Sequence, residues 1–115
     1  MLTRFSHVMV YSLKHGDAVK WYCDKLGYEI DYNAAGEYAS LHHAQLGRLA
    51  VHATKASTAV GNGPMPYLLC DDIQKTITDL RSKGIKVSEP TREGESPWFT
   101  DFYDLDGNIW GIEES

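Results

Sequence analysis

The sequence predicts an α+β protein made of two copies of one strand–helix–strands unit, and three observations predict it. A strand-like run at His7–Tyr11 leads into a helix-like stretch closing at Lys25-Leu26-Gly27-Tyr28-Glu29-Ile30, and Met65–Cys70 leads into another closing at Ser82-Lys83-Gly84-Ile85. The offsets His7 to Met65 and Gly27 to Gly84 agree to within one residue. Each copy is also too small to bury its own apolar face, so the two must share a core. A chain of 115 residues then forms a single domain, residues 1–115, with module one at about 1–56 and module two at about 63–115.

Phe5 to Tyr11 mixes apolar, β-branched and aromatic residues in loose alternation and reads as a strand. Asp17 caps or begins the helix that follows, whose stripe is Val19, Tyr22, Cys23 and Leu26. Gly27 ends it, since a left-handed residue costs glycine little. Tyr28–Tyr32, Tyr38–His42 and Arg48–Ala53 read as strands, with turns at Asn33–Gly36 and Ala44–Gly47. His15 is expected in a loop.

Lys55 to Pro64 joins the halves. In the second, Met65–Cys70 is a strand, and Asp71 or Asp72 caps a helix with the stripe Ile73, Ile77 and Leu80. Ile85–Ser88 and Trp98–Tyr103 read as strands, and Asp106-Gly107 signals a tight turn into a final strand, Ile109–Glu114. The polar loop Glu89–Pro97 suits a cover over a ligand. The order is strand, helix, three strands, twice, with helices on one face of a sheet whose other face is free to curve.

A net charge of −5 argues against nucleic acid, which needs a basic surface. No apolar run reaches the roughly 20 residues of a bilayer span, and no signal-peptide pattern opens the chain, so a cytoplasmic location is expected. Cys23 and Cys70 are expected as buried, reduced thiols. No P-loop, dinucleotide fingerprint or nucleophile triad is legible.

His7-Val8, Trp21-Tyr22-Cys23-Asp24-Lys25-Leu26-Gly27-Tyr28, Cys70-Asp71-Asp72-Ile73, Pro97-Trp98 and Asp104-Leu105-Asp106-Gly107-Asn108 occur in order along nearly the whole chain. In this set the chain resembles the vicinal oxygen chelate superfamily, which includes glyoxalase I, extradiol dioxygenases and the fosfomycin and bleomycin resistance proteins. It departs at Leu105, where that family commonly has proline. The resemblance implies two βαβββ modules forming a U-shaped, cleft-enclosing mixed sheet with helices on the outer face. It also implies a homodimer, swapped or unswapped, and, in metal-using members, four His, Glu or Gln ligands from the first and last strands of each module.

Counted from the turn glycines Gly47 and Gly107, the four positions read His7, Val51, Met65 and Gly111. Valine and glycine offer no donor and methionine suits copper(I), so the family's metal site is not expected and no cofactor is assigned. A divalent metal stays open only at a displaced site of His7 and Glu113, because alternation sets Glu113 on the face of Gly111. His52 is expected on the face opposite Val51. The same alternation offers His7, Met9, Tyr11, Met65 and Tyr67, with Trp98 beside them, as an aromatic and thioether surface for a small organic ligand, aromatic or cationic. Packing is the plainer role for each of these residues alone. Two functions follow: a metal-independent binding protein, or a lyase or isomerase of glyoxalase I type working through His7 and Glu113, with Glu113 as candidate catalytic base.

Overall fold

In each half a helix lies across one face of a sheet, because every apolar stripe has a strand face of matching spacing to cover. The computed structural model describes residues Met1–Ser115. The chain runs β1 (Val8–Ser12), α1 (His15–Leu26), β2 (Glu29–Ala34), β3 (Tyr38–His43) and β4 (Gly47–Ala53). A 3-10 turn (Ser57–Ala59) precedes β5 (Tyr67–Cys70), α2 (Ile73–Ser82), β6 (Phe99–Tyr103) and β7 (Ile109–Glu114).

The first sheet has the order β1-β4-β3-β2 and the second β5-β7-β6. β1 lies parallel to β4 and β5 parallel to β7, while the remaining neighbours are antiparallel. A parallel neighbour needs a crossover connection, and α1 and α2 supply it in their halves. The fold is therefore the expected α+β architecture, with one strand fewer. Ile85–Ser88 forms no strand: only isolated bridges, Val87 to Phe102 and Thr91 to Phe99, tie this segment to β6. The register slips by one residue between those bridges, and Pro90 between them has no N–H to donate. Ile85 and Val87 still enter the core as their alternation implies.

The helix ends differ in detail from the sequence reading. α1 starts at His15 rather than at Asp17, which falls in the first turn, where its charge suits the helix dipole. His15 is thus a buried helical residue and not a loop residue; its Nε2 donates to the Val51 carbonyl at 3.2 Å. Gly27 closes α1 in the left-handed region at φ 75°. Asp72 caps α2 by accepting from the Lys75 amide at 3.1 Å.

One hydrophobic cluster runs through both halves. Ala18, Val19 and Tyr22 of α1 meet Ala39, Leu41, Leu49 and Val51, while Ile73, Ile77 and Leu80 of α2 join Phe102, Trp110 and Ile112. Burying each large side chain is worth about 1.5–3 kcal/mol. No hydrogen-bonded strand pair links the two sheets. Besides the shared core, a polar knot in the β6–β7 turn links the halves. Asp104 Oδ2 accepts from Tyr22 Oη at 2.5 Å and from Asn108 Nδ2 at 2.8 Å, and Oδ1 accepts the amides of Asp106 and Asn108 at 2.9 Å each. Trp110 Nε1 donates to the Tyr22 hydroxyl at 3.0 Å. Asn108 Nδ2 also donates to the Tyr11 carbonyl of β1, and its Oδ1 accepts the Gly61 amide of the connecting segment.

Burial, and then the neighbouring Asp104 charge, push the Tyr22 phenol well above its ordinary value of 10.0. The folded state therefore holds a proton that the unfolded chain gives up above about pH 10, so this stability is complete below that pH and is lost as pH rises beyond it. Tyr22→Phe removes one of the four donors to Asp104 and the acceptor of Trp110 Nε1, and should cost about 1–3 kcal/mol in urea unfolding at neutral pH. It should also flatten the alkaline decline by up to about 1.4 kcal/mol per pH unit.

Candidate functional site

Strand alternation divides each sheet into a helix face and an open face. In the first sheet Val10, Leu49, Val51, Ala39 and Leu41 lie under the helix. Met9 and Tyr11 of β1, Arg48 and His52 of β4, and Tyr38, Ser40 and His42 of β3 face away from it. In the second sheet the open face carries Tyr67, Leu69, Ile109, Gly111, Glu113, Phe99 and Asp101.

This sorting corrects one assignment. Val51 is fully buried beside Val10 beneath α1, so it cannot be the inward residue of β4. That residue is His52, whose ring meets Tyr11 edge-on at 5.7 Å and Tyr38 at 6.0 Å. His52 Nδ1 donates to the Ala53 carbonyl at 2.9 Å. The four positions are thus His7, His52, Met65 and Gly111. Two of these are imidazoles, while a thioether and a residue with no side chain offer a divalent ion no hard donor. No group of three or more His, Cys, Asp or Glu side chains is placed to hold an ion. Only two of the four positions thus carry a donor of the kind that family's metal takes.

At Gly111 the mismatch is steric as well as chemical. A Cβ placed on this residue would lie 2.5 Å from the Cε2 and Cζ atoms of Tyr67, its partner in register on β5. The Tyr67 ring occupies the direction in which a side chain at 111 would leave the strand. No residue larger than glycine fits there while the ring keeps this pose.

The sequence candidates fall into three places. Met9, Tyr11 and Met65 line a groove between the modules, of about 190 Å3, together with Pro66, Asn108 and Ile109. His7 lines a recess of about 740 Å3 over the first sheet, with Arg4, Tyr38, Ser40 and Arg48. Tyr67 and Glu113 line a third, of about 490 Å3 over the second sheet, with Glu93, Ser96, Pro97 and Phe99. His7 and Glu113 therefore do not share a recess within one chain. Trp98 lines none of the three; alternation turns it away from Phe99, and the Arg92 guanidinium sits over its ring at 5.5 Å.

His42 forms a cluster that spacing alone did not reveal. Its Nδ1 lies 2.5 Å from Asp31 Oδ1 and its Nε2 3.0 Å from Glu29 Oε2. The β2–β3 register shifts between Ile30 and Tyr32, the bulge that brings Asp31 to the histidine. Both ring nitrogens are thus engaged in holding the edge strand. Cys23 and Cys70 are free, as expected, but only partly buried rather than buried, and the desolvation they do have raises both thiols above their ordinary value.

No helix is long and apolar enough to cross a membrane. No curated protein sequence matches the chain. Among solved structures, lactoylglutathione lyase from Agrobacterium tumefaciens superposes with a TM-score of 0.75 at 16% identity, covering 99% of this chain and 95% of that one. An antibiotic-binding protein, TnmS3 from Streptomyces sp. CB03234, gives 0.79 at 17% identity, covering 98% and 96%. The bleomycin-binding protein of Streptomyces verticillus, complexed with copper(II)-bleomycin, gives 0.78 at 14% identity, covering 100% and 99%. These likenesses establish a common fold. The sequence itself matches the Glyoxalase/Bleomycin resistance protein/Dioxygenase superfamily over residues 4–112, and the chain belongs to that family.

Proposed function

We propose that the protein binds a small organic molecule, aromatic or cationic, without a divalent metal. The observation that carries this reading is the Tyr67 ring lying over Gly111, where a metal-using relative would present a carboxylate. Aromatic and thioether surface stands on the open faces: Met9 is 44% exposed, Tyr67 50% and Met65 39%. Side chains of this kind bury flat organic surface well and adapt to its shape. The structural likeness to an antibiotic-binding and a bleomycin-binding protein fits such a role.

A homodimer accompanies this reading. Each open face lines its own recess in the single chain, and association would let one chain's first sheet oppose its partner's second. The alternative, an isomerase like the lactoylglutathione lyase it resembles in fold, would require His7 and Glu113 to meet across that junction.

Three measurements test these points. A broad panel of aromatic and cationic compounds should include ligands that raise the melting temperature, as binding to the native state must; at a hundredfold excess over Kd the gain is about 2.7 kcal/mol. A panel without any shift refutes the binding reading. Treatment with EDTA should leave the melting temperature and ligand affinity unchanged, whereas loss of either would restore the metal. Sedimentation should give twice the chain mass of 12.9 kDa, and a monomer at working concentration would remove the shared cleft.

A further inference from the structure

The recesses over the two sheets differ in charge. The first is lined by Arg4, His7 and Arg48 and by no carboxylate. The second is lined by Glu93 and Glu113 and by no Lys, Arg or His. Neither Glu93 nor Glu113 takes part in any ion pair of the chain. Beside these carboxylates the Tyr67 ring lies over Gly111, which alone among the residues can accept it, and the half-exposed ring remains open to the recess. Phe99 and Pro97 add apolar wall.

From this geometry we infer that the recess over the second sheet is a subsite for a flat organic cation, floored by Tyr67 and neutralised by Glu113 and Glu93. The inference deepens the ligand-binding reading and rests on it. An aromatic face attracts a cation through its quadrupole, and unpaired carboxylates beside it supply the counter-charge. A planar cation uses both, because its flat body stacks on the ring while its charge is shared with the carboxylates. A volume of about 490 Å3 falls within the range of small-molecule sites. Tyr67 is then the specificity-determining residue, and Gly111 acts through it as a positioning residue.

The probe is acridine orange, a planar cation, compared with the anion 8-anilinonaphthalene-1-sulfonate, each titrated by fluorescence into the full-length protein. Acridine orange should bind saturably. Tyr67→Phe, which keeps the ring, should bind within about threefold of the parent, and Tyr67→Ala about tenfold or more weaker. The double substitution Glu93→Gln, Glu113→Gln should weaken the cation about tenfold and leave the anion within about twofold. Gly111→Ala should weaken the cation as Tyr67→Ala does, because the methyl group displaces the ring. Tyr67 is half exposed, so unchanged circular dichroism is expected of its variants and is the control for folding.

The subsite is refuted if acridine orange fails to saturate, if Tyr67→Ala binds like the parent, or if the double substitution weakens both dyes equally. A thermal shift from neutral or anionic compounds, with no binding of acridine orange, would overturn this subsite and leave the ligand-binding reading standing.

Discussion

The relation of the two halves depends on the Asp104 carboxylate. It is buried, and each of its oxygens accepts two hydrogen bonds, from the Tyr22 hydroxyl, the Asn108 side chain and the amides of Asp106 and Asn108. A carboxylate has about four lone-pair sites, and all are used. An uncompensated charge at this place would be among the costliest faults the chain could carry, so the turn, the helix of the other half and the carboxylate order one another. Leu13, just past the end of β1, adds to this by donating its amide to Asp106 Oδ1. Beyond core packing, the hairpin turn is thus tied to the free edge of β1.

That arrangement explains the Asp104-Leu105-Asp106-Gly107-Asn108 run more fully than its turn signal does. Gly107, at φ 95°, serves the turn itself. Asp104 and Asn108 serve the contact between modules, and no periodicity could reveal partners more than 80 positions away in sequence. The helices, the strands of the first half and the final strand were legible because apolar spacing and burial agree over whole elements. Ile85–Ser88 was legible only in part. Its alternation correctly buries Ile85 and Val87, but strand pairing needs a ladder, and a register slip together with Pro90 interrupts it.

The closing-strand positions were read by counting from turn glycines, and that count holds for one half only. In the first, His43 pairs with Gly47 across a short connection and the glycine is itself the first residue of β4. In the second, Tyr103 pairs with Ile109 and Gly107 lies within the turn. Equal steps from the two glycines therefore reach opposite faces of their sheets. The count found Gly111 correctly and landed on Val51 where His52 is the exposed neighbour. The contacts of His42 with Asp31 and Glu29 were hidden for a related reason, since they depend on a bulge that no residue announces. Trp98 shows the converse: proximity in sequence to the covering loop did not place it on the open face.

The glycine beneath the Tyr67 ring also makes two positions depend on each other. A side chain enters at 111 only if the half-exposed Tyr67 ring swings off its present pose, whereas trimming the residue at 67 relieves the contact outright. Two positions facing each other on adjacent strands are thus coupled, and a change at one is felt first in the pose its partner can hold.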